Sequence, residues 1–183
     1  HRFPDPVQSV TLSGDGRRLA VGELSGRVSV WAFPSRTQLS SWTASQTTVE
    51  KVSLTHSGDL LATADADGRT RIWDTAASAE VWSHQGRNPR GVQISSDGRS
   101  IGVTEAISTR EGLVSWARVL EWRTGRERLR LGPIAEFESF TPDGTGALVS
   151  RHRDIGTEWW ELDRGRRVRV VPENNGCLTV SSD

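Results

Sequence analysis

The sequence predicts an all-β fold: a β-propeller of four-stranded antiparallel blades, with four blades and the first strand of a fifth in the 183 residues. Three observations carry this. "VQSVTLSGDGRRLAVGELSGRVSVW" from Val7 returns as "VEKVSLTHSGDLLATADADGRTRIWD" from Val49, as "VQISSDGRSIGV" from Val92 and as "FESFTPDGTGALVS" from Phe137. Turn glycines Gly16, Gly58, Gly98 and Gly144 mark a period of about 40 to 45 residues, the length of one blade. Apolar residues alternate between these turns, and no segment has helical periodicity.

Each repeat contains the same four strands in order. A first alternating strand, as at Val10 and Leu12, meets a Ser/Thr, Asp and Gly turn in which glycine tolerates positive φ and the short polar side chains bond the local backbone. "RRLAVG" and "DLLATA" form the second strands. Ser25-Gly26 and Asp67-Gly68 turn into the third strands "RVSVW" and "RTRIW", and polar outer strands such as "RTQLSSW" and "RRVRVV" follow. The repeats occupy approximately 7–42, 49–84, 91–131 and 136–171, and a fifth begins at 177–183. Because a lone blade cannot bury both faces, these are expected to belong to a larger ring, with the remaining blades in the same or another chain.

Composition narrows the function classes. Lys+Arg and Asp+Glu number 23 each, so the basic footprint of a general nucleic-acid binder is missing. No apolar run is long enough for a membrane span. Cys177 is the one cysteine, which excludes an internal disulfide framework and favours a cytoplasmic setting. Lys51 is the sole lysine and methionine is absent, a bias expected of a GC-rich bacterial genome and of a piece of a longer polypeptide.

The period, the turn and the pair Trp73-Asp74 closing a third strand resemble WD40 repeats, most closely in the second copy. In that family an Asp of the second-to-third-strand turn bonds a Ser or Thr, a His and the Trp. The resemblance puts Asp67 at the Asp position, Thr63 at the Ser/Thr position and Trp73 at the Trp position, and leaves the His without a counterpart. Trp31 and Trp122 close the third strands of the first and third copies. Trp31, Trp73 and Trp122 are expected to pack between blades.

No catalytic residues, metal ligands or cofactor are expected. His1, His56, His84 and His152 fall at unrelated repeat positions, and no triad or zinc spacing is present. "HRD" at His152–Asp154 has Trp159 where a kinase catalytic loop needs asparagine, and "TGRE" at Thr124–Glu127 is an ordinary turn.

The resemblance therefore implies a non-catalytic interaction, scaffold or sensor module that recognises a protein partner. The effector, an NTPase or kinase domain, would lie elsewhere in a larger signalling protein. The insertion "EAISTREGLVSW" and the matching "RHRDIG" lie on the face that the family uses for partners. They place Arg110, Glu111, Arg151, His152, Arg153 and Asp154 on one expected rim, where arginine forks suit carboxylates or phosphates. The alternative is a small-molecule-binding or enzymatic propeller with its site in the central channel. That would need a buried Glu138, whereas a bulge in "FESF" would turn this carboxylate out and bury Phe137 and Phe140.

Overall fold

Short alternating strands separated by tight glycine turns pair most readily with their neighbours in sequence, and the computed structural model, which describes residues 5–110, 112–151 and 156–171, shows that arrangement. Blade one comprises β1 (Val7–Leu12), β2 (Arg18–Glu23), β3 (Arg27–Ala32) and β4 (Thr37–Thr43). Blade two comprises β5 (Val49–Leu54), β6 (Leu60–Asp65), β7 (Arg69–Asp74) and β8 (Ala79–Gln85). Blade three has β9 (Pro89–Ile94), β10 (Ser100–Thr109), β11 (Gly112–Glu121) and β12 (Arg126–Leu131). Blade four has β13 (Ala135–Phe140), β14 (Gly146–Arg151), β15 (Gly156–Glu161) and β16 (Arg166–Val171). Each blade is one antiparallel meander, and no helix occurs among the described residues. The fifth strand expected at 177–183 lies outside them.

The turns use the chemistry of their residues. Ser13 Oγ donates to Asp15 Oδ1 at 2.6 Å and accepts from Arg18 N, while Gly16 sits at φ 70°. Ser95 with Asp97 and Thr141 with Asp143 repeat the pattern. A residue with a Cβ would be strained at Gly16, because positive φ is the left-handed region.

The core lies between blades rather than within them. Ala20, Val28 and Val30 of blade one pack with Val52, Leu54, Leu61 and Trp73 of blade two. Ala62 and Ile72 pack with Val92, Ile94 and Trp122. Ala117 and Val119 pack with Phe137, Phe140 and Val149. Thus the leading face of each blade rests on the trailing face of the one before it. Hydroxyls cross the same seams: Val52 N donates to Ser9 Oγ, Ile94 N to Ser53 Oγ and Phe137 N to Thr104 Oγ1.

Irregularities recur at fixed places. Every outer strand bulges against its third strand, leaving Leu39, Val81, Arg128 and Val168 out of register. In blade four the inner strand bulges at Glu138, between Phe137 and Ser139. The carboxylate is exposed and accepts from Ser150 Oγ at 2.6 Å, while Phe137 and Phe140 are buried.

The inserted segment of the third repeat is not a loop. It extends β10 and β11 into a longer hairpin through the pairs Ala106–Ser115, Ile107–Val114, Ser108–Leu113 and Thr109–Gly112. Burial ends within it, with the paired Ala106 and Ser115 buried and Leu113, two residues on along the same face, exposed.

Candidate functional site

Blade two shows how each seam is braced. Leu61, Thr63 and Asp65 alternate along β6 onto one face, which Arg71 and Trp73 of β7 share. Trp73 Nε1 donates to Thr63 Oγ1 at 3.0 Å, and the indole is 7% exposed. Asp65 accepts from the amides of Asp67 and Arg69, from Ser45 Oγ at 2.8 Å and from the Arg71 guanidinium. The bracing acid is therefore Asp65 and not Asp67. Asp67 lies two residues further on in the exposed turn, where its carbonyl accepts from Gln85 Nε2. Ser45, from the loop entering the blade, supplies the bond for which the family uses histidine. Asp74 caps the next turn, its Oδ1 accepting from Ala76 N and Ala77 N.

Burial alone would raise the Asp65 carboxyl. The bonds from Arg69 N, Arg71 and Ser45 outweigh that and hold it below the usual carboxylate value.

The position seven residues beyond each turn glycine repeats this brace with changed chemistry. In blade three it is Glu105, opposed by Arg118 at 3.2 Å, with Arg118 also bonded to Glu127 at 2.7 Å. In blade four it is Arg151, opposed by Glu158, which Arg167 holds at 2.8 Å and Trp160 Nε1 at 2.9 Å. In blade one it is Glu23, 1% exposed, with Ser29 where the arginine would be. Ser29 Oγ accepts the Trp31 indole, and Glu23 Oε2 has no hydrogen-bond partner among the described residues. Burial pushes the Glu23 carboxyl above its usual value, with Arg27 opposing and Asp5 adding to the rise. Trp122 lies past the end of β11 and donates to Gly98 O at 2.7 Å, while Leu120 occupies the position equivalent to Trp73.

The expected rim residues separate. Arg110 is exposed beyond β10, at the turn of the extended hairpin. Arg151 is committed to Glu158 within the brace of blade four. Glu111, His152, Arg153 and Asp154 lie outside the described residues.

Sequence reading missed a cleft of 420 Å³ at the seam of blades two and three, on the side of the extended hairpin. His84, Arg87, Glu105, Trp116, Arg118 and Arg130 line it. His84 Nε2 lies 3.5 Å from Glu105 Oε1, and its ring stacks on Trp82 at 6.0 Å. The channel wall is a second concavity, of 530 Å³, in which Ser9, Lys51, Ser53, His56 and Gln93 supply polar groups. Carboxylates are not among its lining residues. Among the described residues no group of three His, Cys, Asp or Glu side chains is placed to hold a metal.

Residues 36–74 match the family model for the WD domain, G-beta repeat, a span from β4 through β7. No curated protein matches the chain. Among solved structures, a chain in "Crystal Structure of Mitotic Checkpoint Complex" matches with TM-score 0.70 at 19% identity. The match covers 92% of this chain and 51% of that one, so this chain spans about half the length of that chain. With 1450 solved chains matching, the fold is too widely shared to select a function.

Proposed function

From the WD40 repeat at residues 36–74 and the propeller blades around it, we propose that this chain is a non-catalytic protein-interaction module that recognises a partner through the face carrying the β10–β11 hairpin. The observation that carries the reading is that hairpin. It extends four residue pairs past Glu105, at a level where the second and third strands of blade two already turn at Gly68. Its base, the pair Ala106–Ser115, is buried and bonded to Arg87 O and Ile134 N, and beyond it the hairpin presents Leu113 and Arg110 to solvent.

The same reading makes these blades part of a larger ring in a multidomain cytoplasmic protein. Val10 and Leu12 are 58% and 46% exposed on the leading face of blade one, where their counterparts Val52 and Leu54 are each 7% exposed. Trp159, in register with Leu148 as Ile72 is with Ala62, is 40% exposed on the trailing face of blade four. Both faces therefore have the composition of a seam and await another blade.

The test is capture of partners by the complete protein. Trimming residues 107–114 to a two-residue turn, or Arg110→Glu, is expected to remove captured proteins while the thermal transition stays in place. An unchanged set of partners with the trimmed hairpin overturns the assignment of this face.

A further inference from the structure

We infer that the cleft between blades two and three binds a carboxylate of an acidic peptide segment, with Arg87 and Arg130 as its forks and the Trp116 ring as its platform. This rests on the interaction reading above and specifies the chemistry of the partner.

The argument comes from comparing two seams. Between blades one and two, Ser45 stands at the place that Arg87 takes one repeat later, and its hydroxyl bonds Asp65 and closes the seam. Between blades two and three, His84 from the end of β8 lies against Glu105 instead, and Gly86 lets that carboxylate approach, since a Cβ there would sit 2.8 Å from Glu105 Oε1. Arg87 contributes its carbonyl to Ala106 N, and its guanidinium is left exposed with no ion pair among the described residues.

Arg130 is also exposed without an ion pair among the described residues, and it stands directly across from Arg118 in the β11–β12 register. Like charges opposite one another are unfavourable, and Arg118 is already satisfied by Glu105 and Glu127. The cleft thus brings three guanidinium groups and one carboxylate together, a local excess of positive charge that an incoming anion neutralises.

Trp116, half-buried opposite Glu105, gives the cleft an aromatic wall held close to the backbone of Gly132. Ile107 and Val114 continue the same strand face above it. A planar carboxylate fits the guanidinium forks bidentately, and the apolar strip accepts a hydrophobic residue beside it. An extended peptide with alternating acidic and apolar side chains meets both requirements.

The test uses the complete protein and a fluorescein-labelled decapeptide of alternating Glu and Leu, read by anisotropy, with the Lys-Leu peptide as control. The Glu-Leu peptide is expected to bind and the Lys-Leu peptide not. Arg87→Gln with Arg130→Gln is expected to weaken binding at least about 10-fold, roughly the loss of one charge-assisted bond. Equal binding of both peptides, or undiminished binding by the double variant, overturns the cleft assignment. If partners are still captured in that case, the interaction reading survives without this cleft. If no partner is captured by the wild type, that reading fails first.

Discussion

Arg151 and Glu158 form in blade four the cross-strand ion pair that Asp65 and Arg71 form in blade two, with the signs exchanged. Both pairs sit at the same distance from their turn glycines, and both have a third charge from the outer strand, Arg167 in one and Glu80 in the other. In blades two, three and four the charge seven residues beyond the turn glycine meets the opposite charge on the third strand, and either order of signs supplies the pair.

This makes a reciprocal exchange informative. Asp65→Ala leaves Arg71, 11% exposed, with Glu80 as its remaining partner, and is expected to cost about 3 kcal/mol, the usual loss when one partner of a buried pair is removed. In a Glu80→Arg background, which gives blade two the outer-strand cation of blade four, Asp65→Arg with Arg71→Glu rebuilds the order of blade four and is expected to be less destabilising than either single change. A double-mutant cycle by chemical denaturation measures the coupling. An additive result would show that the two positions do not act as a pair.

Trp73 and Trp42 touch at 5.6 Å between ring centroids but differ in their polar ends. The Trp73 indole N–H is bonded to Thr63, whereas Trp42 Nε1 is buried without a partner among the described residues. Trp73→Phe is expected to lose about 1 kcal/mol for the bond besides its packing, and Trp73→Ala about 3 to 5 kcal/mol. Trp42→Phe discards an unsatisfied donor and is expected to be close to neutral. Melting temperatures of the three variants check the order.

The repeat, the turns and the bulge at Glu138 are legible in the sequence because glycine positions and alternation are local properties. Thr63 and Trp73 follow from the same pattern. Asp65 was legible by alternation from Thr63, but counting back from Trp73 leads to Asp67 in the turn. The cleft is not local at all: it depends on Arg87, Glu105 and Arg130 meeting across a seam, which strand register and the Arg128 bulge determine. Nor does the segment Ala106–Ser115 read as strand, because Ser108, Thr109, Arg110 and Glu111 interrupt its apolar alternation.

The buried carboxyls set opposite pH dependences. Glu23 has its folded value raised, so the folded state binds the proton more tightly and stability falls as pH rises from the ordinary glutamate value through the raised one. Asp65 and Glu158 are lowered, so their contribution is present above the ordinary value and is lost as pH falls through the folded one. For Glu158, burial acts in the raising direction and the bonds from Arg167, Trp160 and Arg151 overcome it. Glu23→Gln is expected to be more stable than wild type at about pH 7 and to lose that advantage in acid. Thermal melts across pH test the sign, and a Gln variant less stable at neutral pH would show that the charged form is the favoured one.

Gly102 and Phe137 are matched in size across the seam of blades three and four. At the seam of blades two and three, Ala62 and Ala64 pack in one cluster with Val92. In the next seam Phe137 lies so close to Gly102 that a Cβ there would meet the ring at 2.3 Å, and Phe137 in turn packs on Phe140 at 4.8 Å. The ring cannot retreat, since Phe140 and Val149 share its cluster. Gly102→Ala is therefore expected to cost about 1 to 3 kcal/mol by overpacking, although alanine suits a strand better than glycine. Phe137→Leu alone leaves a void and is expected to destabilise as well. Combined, the two changes restore the alanine-and-aliphatic packing of the preceding seam, so the double variant is expected to be more stable than the sum of the single losses predicts. Denaturant midpoints of the four proteins measure this, and strict additivity would place the two residues in separate packing environments.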